Sequence, residues 1–166
     1  MVLALTLFAA RFPIASAAAQ TIDAVTAETL ETILEEAGLS PEMKTDATTN
    51  SPVAIGQVGE FSFTVRTLDC SGRPQRCTTL MFFANFELGR RITGGDFVAI
   101  NNFNESQVFG RAYVLRSSGE KGEVGVDYVI ELDGGVSRDH LAGNIERWGD
   151  IVSAFITSIT TSPAGA

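Results

Sequence analysis

Histidine is almost missing from this chain, since His140 is the only one among 166 residues. Serine and cysteine hydrolases set a histidine-type base beside the nucleophile, and no G-x-S-x-G elbow presents a serine here. Ser-His catalysis is left without its parts, and His140, in the first turn of an expected helix, reads as a surface residue. Cysteine is nearly as rare. Cys70 and Cys77 lack the nearby histidines that would complete a tetrahedral zinc site. The glycines of Thr93-Gly94-Gly95-Asp96 come with neither G-x-G-x-x-G nor a Walker lysine, so they read as a turn. No cofactor is expected. Basic residues are scarce too, with 12 Lys and Arg against 20 Asp and Glu and a net charge of −8. Nucleic-acid binders cluster cations against phosphates, and no basic run here exceeds Arg90-Arg91. Nucleic acid is excluded as a partner.

Long apolar runs are confined to the opening. Met1 to Gln20 is built mainly from Leu, Ala, Val, Phe and Ile, with Arg11 as its one charge. Arg11 and Pro13 interrupt it, whereas a membrane span needs about 20 continuous apolar residues. The segment reads as a signal peptide, residues 1–19, cleaved after Ala19. Ala17, Ala18 and Ala19 supply the small side chains that a cleavage site accepts. The expected location is periplasmic or secreted, without a stable membrane span. Export changes the meaning of the cysteines, because an even count in an oxidising compartment is usually a bridge. Cys70 and Cys77 bracket Ser-Gly-Arg-Pro-Gln-Arg, a turn sequence between two strand-like runs. A disulfide closing that hairpin is expected.

The rest fits one domain. Residues 20–52 hold a polar start, a first helix capped by Thr26 with Leu30, Ile33, Leu34 and Ala37 on its apolar face, and a polar connection from Ser40. Residues 53–161 carry the remainder, and 162–166 form a tail. Strands are expected at Val53–Gln57 and around Phe61, Phe63 and Val65. A third, Thr79 to Phe86, is apolar enough to be central and covered on both faces. A short helix through Phe97, Ile100 and Phe103 follows, then strands at Val108–Leu115 and at Val124–Leu132. Between those two strands, Ser117 to Gly122 makes a turn. Ser137 can cap a final helix, whose Leu141, Ile145, Trp148, Val152, Phe155 and Ile159 form one stripe. The order α-β-β-β-α-β-β-α, with hairpins and no β-α-β alternation, predicts an α+β fold with an antiparallel sheet packed against helices.

Ile100-Asn101-Asn102-Phe103-Asn104 followed by Phe109-Gly110-Arg111-Ala112-Tyr113 resembles the signature of the bacterial YbjN family. In that signature a helix ending in Asn-x-aromatic-Asn leads into a strand with an aromatic and Arg-Ala. Asp133-Gly134-Gly135-Val136-Ser137 before the long helix supports the resemblance, which spans about Val25 to Ile159. It implies a fold like that of type III secretion chaperones and a role in sensory-transduction regulation, and it brings no catalytic residues. The partner it suggests is an exported polypeptide, with a homodimer left open.

Four groups of residues are candidates for chemistry or recognition. Asn101, Asn104 and Arg111 sit at a helix-to-strand corner and read as a polar network serving backbone groups, with Arg111 supplying donors to the helix's last carbonyls. A recognition surface is the competing reading. Asp127, Glu131 and Asp133 could bring carboxylates together as a glycosidase pair, a calcium site or another ligand site of a small periplasmic enzyme or binding protein. Their odd spacing puts them outside the core, where solvated charge is the expected role. Trp148 reads as core rather than a sugar platform, and Asn104-Glu105-Ser106 as a chance sequon.

Overall fold

Residues 21–115 and 121–161 are described in a computed structural model. The expected leader, the tail and most of the Ser117–Gly122 turn lie outside them. In chain order the elements are β1 (Thr21–Ile22), α1 (Ala27–Glu36), β2 (Glu42–Thr45), β3 (Pro52–Val58), β4 (Phe61–Ser71), β5 (Arg76–Glu87), α2 (Gly94–Ser106), β6 (Arg111–Leu115), β7 (Glu123–Glu131), β8 (Val136–Ser137) and α3 (Arg138–Thr161). Six strands make one antiparallel sheet in the order β2-β3-β4-β5-β7-β6, and β1 pairs with β8 in a small second ladder. The α+β class and the antiparallel sheet expected from the sequence are what forms.

Alternation along the strands builds one buried face. Phe63 and Val65 of β4, Leu80, Phe82 and Ala84 of β5, and Val124, Val126 and Ile130 of β7 turn toward the helices. Burying each such side chain contributes roughly 1.5–3 kcal/mol. The α3 stripe meets them: the Trp148 ring lies 5.8 Å from those of both Phe63 and Phe82, and Phe155 packs on Phe86 and Phe103. Trp148 is thus core, as its place in the stripe required.

Several expectations are corrected. The connection from Ser40 contains β2, which pairs with β3 through Glu42↔Ile55 to Thr45↔Pro52. Its side chains are mostly exposed, so an edge ladder forms with no apolar alternation to reveal it. The polar start is also structured. Beyond β1, Val25 exchanges both backbone hydrogen bonds with Cys77 at 2.9 Å. β5 is central but covered on only one face, with Met81 and Phe83 half-exposed on the other. Val108 and Phe109 stand outside β6, exposed, because the chain turns at Gly110 before pairing begins. Gly110 has φ +81°, and a Cβ there would come within 2.8 Å of Ile151, so only glycine fits. In α2, Phe97 is exposed and Asp96 is buried instead.

Candidate functional site

Polar side chains hold α2 at both ends. At its start Asp96 gathers four donors: Arg90 Nη1 at 2.8 Å and Nη2 at 2.7 Å, the Thr93 backbone N–H at 2.7 Å and the Thr93 hydroxyl at 2.9 Å. Thr93 is the N-cap, so this is a carboxylate at N3 reaching back to the cap. The hydrogen bonds from Arg90 lead in holding its pKa well below the usual carboxylate range, against the opposing effect of burial.

At the other end, the corner residues divide among separate tasks. Asn104 accepts from the Ala112 N–H at 2.8 Å and donates to the Ala112 carbonyl at 3.0 Å. Its amide thus stands in for a neighbouring strand at Ala112 on the β6 edge, where open backbone groups are a standard hazard for pairing with other chains. Asn101 is exposed and makes no side-chain hydrogen bond within the described residues.

Arg111 does not serve the helix's last carbonyls, which is a correction. Phe103 O instead accepts from the Gln107 N–H and the Ser106 hydroxyl. Register explains the difference, because Arg111 faces Asp127 directly across β6 and β7. Its guanidinium grips both Asp127 oxygens, Nε to Oδ1 at 3.2 Å and Nη2 to Oδ2 at 2.5 Å. The Asp127 side chain is 5% exposed and that of Arg111 71%. Asp127 is therefore a buried carboxylate covered by its partner rather than a solvated charge. Nearby, burial, followed by the Asp127 charge, pushes the Tyr113 hydroxyl up to about 12.

Asp127, Glu131 and Asp133, weighed above as a carboxylate group, stay apart. Residues four apart on a strand are separated by about 13 Å, and Glu131 instead accepts from the Thr79 hydroxyl at 2.9 Å, beside Asp69 at 2.8 Å. Asp133 lies exposed in the turn before β8. Among the described residues no group of three or more His, Cys, Asp or Glu is placed to hold a metal ion. His140 is exposed, with its backbone N–H on the capping Ser137 hydroxyl. Cys70 and Cys77 are register partners across β4 and β5, with Cα atoms 3.9 Å apart and sulfurs at disulfide distance.

A second feature is a recess of about 640 Å³ between the end of α1, the exposed side of α3 and the end of β3. Gly38, at φ +82°, ends α1 in a Schellman motif, with Gly38 N–H bonded to Glu35 O and Leu39 N–H to Leu34 O. That turn delivers Leu39 to the recess. Val58 comes from β3 and Ala142, Gly143 and Gly149 from α3, with Phe63 and Trp148 beneath. Glu36, Asp139 and Glu146 border it.

The comparisons with known proteins place this architecture. The family model for YbjN, described as "Putative bacterial sensory transduction regulator", matches residues 26–160. The chain belongs to the YbjN family. A solved relative in fold is titled "Crystal structure of YbjN, a putative transcription regulator from E. coli"; it has a TM-score of 0.60, 14% identity, and coverage of 82% of this chain and 92% of that one. No curated protein matches the chain. The YbjN match starts at the α1 cap, Thr26, and takes in both the corner and the recess. Among the described residues no helix is long and apolar enough to cross a membrane.

Sequence reasoning missed three parts of this YbjN domain. The Arg90–Asp96 pair is one, its single sequence signal being an acid beside the start of the short helix. Asn144, buried on α3, accepts from the Tyr128 hydroxyl and from Arg147 Nη1 at 2.7 Å, and Arg147 lies 4.5 Å over the Phe109 ring. The recess had a signal, since Asp139, Ala142, Gly143, Glu146 and Gly149 recur at helical spacing beside the apolar stripe.

Proposed function

We propose that this chain is an exported, non-enzymatic regulatory module that works by binding another polypeptide. The carrying observation is the open recess beside α3, a concave surface with half-buried apolar residues, Ala37, Leu39 and Val58, already in place. Such preformed apolar grooves are a recurring way to take up peptide segments. Asn104 is committed to the Ala112 backbone and Arg111 to Asp127, which supports a scaffold role for these two corner residues. Export is supported by the facing of Cys70 and Cys77, since such a bridge belongs to an oxidising compartment.

Capture from a periplasmic extract with a cross-linkable form of the mature protein tests the reading. A stoichiometric polypeptide partner is the expected result, and its absence alongside turnover of a small molecule would overturn it. N-terminal sequencing of the mature product should begin at Gln20; a product retaining Met1 removes export.

A further inference from the structure

Beyond the core, the described surface offers the uncovered face of the sheet, the exposed residues Val108 and Phe109 after α2, and the recess. Nothing in the structure says what would cover the sheet face. The apolar residues at the corner are already engaged in part, since Arg147 and Tyr128 pack on Phe109. The recess combines an apolar shape with a charge pattern that specifies an occupant.

Its α3 wall carries Asp139 and Glu146, seven residues apart and so about 10 Å apart along the axis. Neither has a hydrogen-bond or ion-pair partner among the described residues. Arg138, the neighbouring cation, is already paired with Glu36. Between the two free carboxylates lie Ala142 and Gly143, where a Cβ added to Gly143 would meet nothing within 4 Å. The wall therefore reads acid, small, small, acid. Across from it stand the apolar side chains of Leu39 and Val58.

We propose that this recess receives a helical polypeptide segment with two basic residues seven apart and apolar anchors three and four residues after the first of them. The proposal rests on the polypeptide-binding reading above and names its surface and the chemistry of its partner. The cations would reach Asp139 and Glu146, and the anchors would fill the space over Gly143 against Leu39 and Val58. A polypeptide suits the site better than a small molecule, because small-molecule pockets enclose most of their ligand and this one is an open trough. Free carboxylates on its wall favour a cationic partner and select against an acidic one.

The sole tryptophan, Trp148, lies beneath the trough and supplies the readout. The probe is a capped alanine-based helical peptide with Lys at the two outer positions and Leu between, titrated against full-length mature protein, with a Glu-for-Lys counterpart as control. The expected result is a saturable change in Trp148 emission with the Lys peptide, weakened by added salt and at least tenfold weaker for the Glu peptide. Gly143→Leu should abolish the change, and the double variant Asp139→Asn, Glu146→Gln should remove the preference for Lys over Glu. Equal binding of the two peptides, or unchanged binding by Gly143→Leu, overturns the proposal. If Gly143→Leu captures the same extract partner as the wild type, the trough is not the site, while polypeptide binding stands. If the wild type captures no partner, the broader reading itself fails.

Discussion

The two ends of α2 and the trough beside α3 use the same kinds of residue to opposite effect. Around α2, Asp96, Asn104 and Asp127 each find their partners within the chain, down to the backbone groups of the β6 edge. Along the trough, Asp139 and Glu146 are left unpaired beside small residues and half-buried apolar ones. A polar group mated internally contributes to folding, and its removal is felt as lost stability. An acid left free beside open apolar surface contributes little to folding, so its removal should be felt only when something binds. Substitutions can test that division directly.

The largest effect should come at the start of α2. Asp96→Ala removes a buried carboxylate that accepts four hydrogen bonds and leaves Arg90 without its partner, at a cost of about 3 kcal/mol. The folded pKa is depressed, so the stabilisation is fully present above the ordinary carboxylate value of about 4 and is lost as pH falls below it. Urea midpoints for wild type and variant should differ most near neutral pH and draw together on acidification. A gap that stays constant down to low pH would mean that the carboxylate's charge is not what stabilises the helix start.

Next in size is the hairpin bridge. Replacing Cys70 and Cys77 by serine should cost about 2 kcal/mol, the chain-entropy figure for so short a loop. Mass analysis with and without alkylation should show both thiols blocked in freshly prepared mature protein. Peptide binding at the trough should be unchanged, since Cys77 lies at the opposite end of the domain's long strands, against Val25. Two free thiols would remove both the bridge and one support for export.

Arg111→Ala should cost less, about 1.5 kcal/mol, because only one end of the pair is buried. The variant strands the Asp127 carboxylate, whereas Asp127→Asn releases an already exposed guanidinium to water. The arginine variant should therefore be the less stable of the two, with an unchanged denaturant slope. The reverse order, or wild-type stability joined to loss of an extract partner, would turn the corner into a recognition surface and erase its contrast with the trough.

How much of this was legible beforehand differs by kind of interaction. The stripe from Leu141 to Phe155, the Thr26 cap and the facing cysteines follow from periodicity and turn chemistry, which are local. β2 was not legible, because Glu42–Thr45 is held by backbone pairing to β3 and its exposed side chains carry no alternation. Asp127 was assigned to the outer face correctly, yet its burial depends on Arg111, sixteen residues earlier in the chain, lying opposite it in register. The trough arises where three elements meet, and no single segment encodes a concavity. Its acid and small residues could be read along α3, but Leu39 and Val58 become their neighbours only after folding.

The smallest effect has the opposite sign. Gly143 lies inside α3, where glycine is about 1 kcal/mol less favourable than alanine and leucine is nearly as good a helix former. Its φ is not in the left-handed range, and an added Cβ would meet nothing within 4 Å, so a leucine can enter without strain on the backbone. Gly143→Leu should raise stability by about 0.5 kcal/mol, the helical gain being offset in part by the exposure of a larger apolar side chain. The urea midpoint should rise slightly with the slope unchanged, while binding of the basic peptide disappears. Gain of stability with loss of binding is the outcome that a purely structural surface cannot give. A lower midpoint would instead show that α3 is closely covered at this position, and the trough would then have no room for a partner.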